Sequence, residues 1–441
     1  MLHVLRAVPR RVPRRHLRGF ATAASPVSSA SHNHRVIIVG GGSAGMAISN
    51  QLLRTGRFRQ DDIAVVDPAS WHYYQPGFTL VGGGVKDKES LRVPMVDLMN
   101  PKFKFYSEGV SAFDPEDNMV MLGNGDRLSY EHLVVVPGIT INFDSIKGLP
   151  QALADPDSMV SSIYSYETCD KVYPDIQKLH QGRSIFTQPQ GVLKCAGAPQ
   201  KAMWLALDAW KHLGRYKPDN LQQSPIHITF ATGLGVMFGV PKYSAALEKM
   251  RQERGVEGLF NHDLVAVDGN KATFVRPNGQ APVVREFDFL HVVPKMGPFG
   301  FVKNSPLADA AGFVDVDDAT TQHKRFSNVW SAGDASSLPT SKTMAAITSE
   351  APVLVHNMLR VMDGKSAGQQ YDGYTSCPLT TEYGKVMLAE FKYGGVPKET
   401  FGPDQAVPST MFWLLKKYFF PLVYFHGMVQ GIWGGPKGFR V

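Results

Sequence analysis

The chain has 441 residues, 43% of them hydrophobic, which allows two or three domains with large cores and excludes a disordered protein. Its formal charge of +7 does not mark a nucleic-acid surface, because Arg6, Arg10, Arg11, Arg14, Arg15 and Arg18 fall in the first 34 residues without an acid, and the remainder is nearly neutral. Three cysteines, Cys169, Cys195 and Cys377, with no C-x-x-C among them exclude a disulfide-framework fold and a thioredoxin-type pair, and no metal site is expected.

Residues 1–34 are Arg-rich, bear Ser and Ala, lack acids and have no long apolar run, so they read as a mitochondrial transit peptide. Next, Arg35-Val-Ile-Ile-Val39 enters Gly40-x-Gly42-x-x-Gly45, a helix-like segment, and a second apolar run closing on Asp67. Strand, glycine turn, helix and strand with an acid about twenty residues on form a dinucleotide fingerprint. Gly40 permits the turn, Gly42 admits a pyrophosphate and Gly45 lets helix and strand pack. Ser43 and Ala44 open the helix whose free N–H groups face the phosphate, and Asp67 would accept the ribose hydroxyls.

Trp71 to Gly84 is aromatic and glycine-bounded without period; it is expected to be a loop over the cofactor, with Gln75 offering an amide. Lys102 to Val110 reads as a strand, Val110 being placed at the cofactor, and Asn124-Gly125 marks a hairpin. Tyr130 to Gly138 is a buried parallel strand ending in a sharp turn.

Near residue 150 the pattern restarts. Arg183 to Thr187 is a strand, Gln190 to Pro199 a loop, and Gln200 to Leu213 a helix. Ile226 to Gly235 looks like another Rossmann strand and turn, but the next glycine, Gly239, comes one position late and no acid follows at the expected distance. This second domain keeps the architecture without the means to hold NAD. Residues 286 to 297 are expected to return the chain to the first domain. There Asn328-Val-Trp-Ser-Ala-Gly333-Asp334 resembles the second flavin motif of two-dinucleotide-domain flavoprotein reductases, whose aspartate binds the ribityl chain. Both motifs together imply FAD. Lys342, at the entrance of a helix over Met344 to Met362, is expected to point at the isoalloxazine, where a cation favours the reduced anion.

Cys169 has the surroundings of an inert buried thiol. Cys195 has Lys194 before it, Lys201 after it and a helix start beside it, all of which favour a thiolate. Cys377 is read on a turn-rich loop, and spacing alone cannot show that the two meet. The C-terminal stretch, Met411 to Phe425 and on to Gly435, is aromatic but interrupted by Lys416, Lys417 and Pro421, too short an apolar run to span a bilayer and suited to lying in its interface.

Five segments carry a family resemblance. They are Gly191-Val-Leu-Lys-Cys195-Ala-Gly-Ala-Pro-Gln-Lys201, Tyr371-Asp-Gly-Tyr-Thr-Ser-Cys377-Pro-Leu, His72 to Gly84, Leu338-Pro-Thr-Ser-Lys-Thr343 and Gly431-Ile-Trp-Gly-Gly-Pro436. Together they resemble the mitochondrial sulfide:quinone oxidoreductases over residues 35–436. The chain departs from some of them in lacking a cysteine after Asp334, in Lys295 where proline is common, and in a short C-terminus. The resemblance implies that Cys195 and Cys377 are bridged by a disulfide or trisulfide beside FAD. Hydrosulfide would attack at Cys377, leaving a persulfide there and releasing Cys195 as a thiolate that passes two electrons to the flavin. Glutathione, sulfite or a second sulfide would then take the sulfane sulfur, and ubiquinone the electrons. Lys201 and Lys416 would attract the anionic acceptor.

The expected architecture is α/β, with two Rossmann-like dinucleotide-binding domains and a C-terminal membrane-associated segment. Its divisions are the transit peptide (1–34), the FAD domain in two parts (35–150 and 286–375), the eroded second domain (151–285) and a C-terminal region (376–441) holding the second redox cysteine. The expected location is the matrix face of the inner mitochondrial membrane. Competing readings are a type II NADH:quinone oxidoreductase, which needs an intact second fingerprint and no cysteine pair, and a flavin-retaining scaffold without turnover.

Overall fold

A computed structural model describes residues 31–435, so the expected transit peptide lies outside the described residues except for its last four. Those four begin the first strand, Ser31–Val39. Its β-branched run Val36 to Val39 is buried, as a parallel strand covered on both faces must be. It lies between Ile63–Val66 (Val36 opposite Ile63, Val39 opposite Val66) and Arg127–Val135 (Ile37 opposite Leu133), all parallel. Lys104–Tyr106 extends this sheet at one side, and Val329–Trp330 joins Arg127–Val135 from late in the chain. Two more strands, Met119–Leu122 beside Arg127–Val135 and Val110–Asp114 at the edge, complete its seven as antiparallel neighbours. The strand expected over 102–110 is therefore two strands broken after Tyr106.

A second sheet has five parallel strands, ordered Val160–Ser161, Phe289–His291, Gly182–Gln188, Ile226–Thr232 and Glu257–Phe260. Phe289–His291 sits inside it, which corrects the expected division at 285/286: the chain leaves this sheet only afterwards, through Lys295–Gly297 paired with Thr140–Asn142. The helix Ala198–His212, entered through Pro199 in its first turn, packs on this sheet and starts two residues earlier than expected.

Two further expectations are corrected. Trp71 to Gly84 is not an irregular loop but a short strand, Trp71–Tyr73, a 3₁₀ turn and a helical turn, Phe78–Val81. Cys377 lies within a strand, Thr375–Glu382, paired antiparallel with Lys385–Lys392. Near the C-terminus, helical turns at Thr410–Leu414 and Phe420–Val423 alternate with wider π turns over Leu415–Phe419 and Tyr424–Met428. Among the described residues no helix is long and apolar enough to cross a membrane.

Candidate active site

The fingerprint helix, Ser43–Arg54, begins without a side-chain cap, so its first N–H groups remain available to a ligand. Gly40 adopts φ +106°, and a Cβ on Gly45 would stand 1.8 Å from the Gly40 carbonyl oxygen, which is why both positions exclude a side chain. A cavity of about 630 Å³ is lined by Gly42, Ser43 and Ala44, by Gly138, Gly333 and Asp334, by Gln75 and Lys342, and by Cys195. Uncapped helix, bare glycine and a single cavity shared with Cys195 fit a dinucleotide with its reactive end at the cysteine.

The remaining expected contacts divide. Asp67 stands off the cavity wall, its two oxygens accepting the Gly41 and Ala69 N–H groups at 2.6 and 2.7 Å, and burial pushes its carboxyl up. Val110 is not brought to the cavity: it opens the edge strand Val110–Asp114 and packs half-buried on the core of the first sheet. Lys342 lines the cavity, but its ammonium donates to the Ser336 carbonyl at 2.6 Å and the Leu338 carbonyl at 3.4 Å instead of standing free. Burial lowers its pKa, against the pull of Asp334.

Cys195 and Cys377 are brought together, Sγ to Sγ 3.1 Å, from loop and strand 182 residues apart. Close approach explains Gly197, where a Cβ would lie 2.6 Å from the Cys377 sulfur. Cys195 has φ +49°, a left-handed conformation unusual outside glycine, held by its N–H donating to the Lys342 carbonyl at 2.7 Å. Local strain thus aims the thiol. The cation at that thiol is Lys201, donating to Sγ at 3.1 Å, and not Lys194, whose ammonium turns to Gln75 Oε1 at 3.3 Å. The hydrogen bond from Cys377, and then Lys201, hold Cys195 well below the usual thiol value against burial. Cys377 moves the opposite way and stays protonated. Lys416, expected to attract the anionic acceptor, lines the same cavity but is buried, its ammonium donating to the Pro378 carbonyl at 2.8 Å.

One consequence is measurable. Replacing Lys201 by methionine removes a charge that favours the thiolate, so the Cys195 pKa rises and the midpoint of its alkylation moves to higher pH, by roughly one to two pH units. A pH profile of the rate at which Cys195 is alkylated checks this, and an unmoved midpoint refutes the role given to Lys201.

Two participants went unread. Glu350 is the lone acid of the apolar helix Met344–Met362, a signal visible in the sequence; it accepts the Gly333 N–H at 2.6 Å, and burial raises its pKa to about 7. Tyr424 had no signal beyond its aromatic run. Burial lowers His72 to about 4, so the ring is neutral; its Nδ1–H donates to the Gly41 carbonyl at 3.0 Å, which leaves Nε2 to accept from the Tyr424 hydroxyl at 2.7 Å. Ser43 then donates to the same phenol oxygen at 2.7 Å. Through these bonds, and Asn50 donating to the Val429 carbonyl at 2.8 Å, the C-terminal segment is tied to the fingerprint.

The second domain lacks such a cradle. A Cβ on Gly233 would meet Asp263 Oδ1 at 2.3 Å, and that carboxylate accepts the Gln190 N–H at 2.7 Å, so an anion occupies the mouth of the turn. The following helix starts only at Pro241.

Residues 34–179 match the family described as pyridine nucleotide-disulphide oxidoreductase. A relative from Schizosaccharomyces pombe, named mitochondrial sulfide:quinone oxidoreductase, is 44% identical, covering 95% of this chain and 95% of that protein. A Dictyostelium discoideum relative of the same name is 42% identical over 91% and 87%. Two solved structures share the fold. One is a chain of the Tetrahymena thermophila mitochondrial ATP synthase, with TM-score 0.78, 22% identity, and 92% and 98% coverage. The other is the sulfide:quinone oxidoreductase of Aquifex aeolicus, with TM-score 0.71, 16% identity, and 90% and 92% coverage.

Proposed function

The chain belongs to the sulfide:quinone oxidoreductase family of flavoenzymes, and on that premise we propose that it oxidises hydrogen sulfide through a Cys195–Cys377 relay and reduces ubiquinone. The observation that carries this reading is the 3.1 Å approach of the two sulfurs beside a cavity that reaches the fingerprint. Starting from the bridged pair, hydrosulfide attacks the Cys377 sulfur. A new S–S bond forms there, the bridge breaks, Cys195 departs as a thiolate under Lys201, and the hydrosulfide proton goes to water. Glutathione or sulfite takes the sulfane sulfur, Cys377 returns to the protonated thiol that its surroundings favour, and the bridge re-forms as that thiol gives up its proton and the two sulfurs together lose an electron pair. FAD, held along Gly42 to Gly45, Gly138 and Asp334, supplies the two-electron acceptor and the donor to the quinone.

The quinone approaches along Leu415, Phe419 and Phe420, which line the same cavity from the C-terminal segment. On the outer side of that segment Met411, Leu414, Tyr418 and Leu422 are exposed, and Lys417 lies over the rings of Trp413 and Tyr418. Apolar side chains beside a cation suit the matrix face of the inner mitochondrial membrane. The carboxylate of Asp263 at the second turn argues against NADH as donor.

Purified protein mixed with sulfide and a short-chain quinone is expected to bleach its flavin and reduce the quinone, with NADH inert in the same assay. Quinone reduction driven by NADH and indifferent to sulfide overturns the reading.

A further inference from the structure

Four lysines line the cavity, Lys194, Lys201, Lys342 and Lys416, and three of them have their ammonium groups engaged by the protein. Lys201 donates to the Cys195 sulfur at 3.1 Å and Lys416 to the Pro378 carbonyl at 2.8 Å. The Lys342 ammonium donates to the Ser336 and Leu338 carbonyls and lies 5.2 Å from the centre of the Phe313 ring; none of those three residues lines the cavity, so this charge is turned into the protein behind the wall. Lys194 differs. Its ammonium has one partner among the described residues, the Gln75 side-chain oxygen at 3.3 Å, and that bond is solvent-exposed. An ammonium has three donors, so a single long bond leaves at least two of them for a ligand. The backbone that carries it is fixed: Lys194 N–H donates to the Met296 sulfur at 3.3 Å, Lys194 pairs with Lys342 in a parallel bridge, and the Cys195 N–H donates to the Lys342 carbonyl at 2.7 Å. The charge of Asp334 acts on Lys194 against the effect of burial, and the charge of Lys194 acts in turn on Asp334. One accessible cation thus stands next in sequence to Cys195, bonded to Gln75 and within electrostatic reach of Asp334.

We propose that the Lys194 ammonium faces the isoalloxazine ring and favours its reduced, anionic form. This rests on the flavin reading above, which holds FAD along Gly42 to Gly45 and Asp334 with its ring at Cys195. A ring that touches Cys195 while its ribityl chain is held at Asp334 lies within reach of an ammonium that is close to both. Each turnover delivers an electron pair from the two sulfurs and the one proton that Cys377 gives up. The ring accepts both and so gains one negative charge, and no other lysine of the lining has its ammonium free to meet it. Lys194 keeps its own proton throughout. It acts by charge, and by hydrogen bonds to the ring atom that holds the added electron density.

Lys194→Met, Lys194→Gln and Lys194→Arg in the FAD-loaded protein test this, with the two-electron midpoint potential measured against a reference dye. The two neutral variants are expected to retain FAD and to lower the equilibrium constant for flavin reduction roughly tenfold or more, a drop of about 30 mV or more for a two-electron couple. In both, the reduced flavin should take up its second proton at a higher pH than in the unaltered protein. Lys194→Arg keeps the charge and should stay within about threefold of the unaltered equilibrium constant. A potential unmoved in both neutral variants overturns the proposal, and so does an equal drop in Lys194→Arg, which would assign the effect to packing. The reading beneath it fails differently: an unaltered protein whose bound flavin is not bleached by sulfide sinks the relay, whereas a bleached flavin whose potential is indifferent to residue 194 sinks only the role of Lys194.

Discussion

Cys377→Ser is expected to abolish sulfide oxidation while leaving the flavin bound, and Cys195→Ser to do the same. A serine oxygen neither forms a bridge nor carries a sulfane sulfur, so each variant lacks the electrophile that hydrosulfide attacks. Because the two sulfurs act as one unit, either single loss should cost about as much as both, on the order of a thousandfold or more in kcat. Flavin retention follows from position: neither cysteine belongs to the fingerprint turn or the helix Ser43–Arg54, and Cys377 meets Cys195 at 3.1 Å from the strand Thr375–Glu382. The substitution is nearly isosteric, and Cys377 is buried beside Leu379 and Met387, so folding should tolerate it at a cost of about 1 kcal/mol. Steady-state assays and the flavin spectrum of the two single variants and the double variant check this. Substantial turnover in either single variant removes the relay.

The fingerprint was legible because every local signal agreed: β-branched strand, glycines at fixed offsets, apolar helix and acid at the end of the next strand. The partners of Cys195 were not. Lys194 and Lys201 are both close in sequence, but Lys194 pairs in an extended bridge with Lys342, where alternate side chains point to opposite sides. Lys201 lies in the first turn of the helix Ala198–His212, whose side chains lean back toward the N-terminus and hence toward Cys195. Cys377 has the sequence surroundings of a loop residue, because Gly373 and Pro378 flank it. The strand Thr375–Glu382 is an edge strand, paired on one side only, and an edge is where proline is tolerated within a sheet. Val110 reads as the end of one strand over residues 102–110, yet Ser107-Glu108-Gly109 interrupts the alternating run, and the chain breaks there into two strands, the second of which opens at Val110. The meeting of Tyr424 with Ser43 joins residues 381 positions apart, and no periodicity encodes such a contact.

Gly42→Ala and Gly45→Ala should separate cofactor binding from folding. At Gly45 a Cβ would lie 1.8 Å from the Gly40 carbonyl oxygen and 2.9 Å from its carbon, both backbone atoms of a turn that cannot swing aside. The helix Ser43–Arg54 would have to move off the strand Ser31–Val39, disturbing the buried contacts of Met46, Ile48 and Leu52 and carrying its N–H groups away from the cavity. Overpacking of this kind costs at least about 1–3 kcal/mol, so Gly45→Ala is expected to lower both the unfolding temperature and the FAD content. At Gly42 nothing in the protein lies within 4 Å of the added methyl, and its φ of −71° suits any residue. That methyl projects at the uncapped helix start, where the pyrophosphate must approach the backbone. Gly42→Ala should therefore fold with its apoprotein stability intact yet bind FAD roughly tenfold to a hundredfold more weakly, the same 1–3 kcal/mol falling on the ligand alone. The FAD-to-protein ratio after purification, together with thermal unfolding in the absence of added flavin, reads the two effects apart. A Gly42→Ala protein that retains stoichiometric FAD would mean that the phosphate does not lie on this turn, and the orientation of the cofactor toward Cys195 would fall with it.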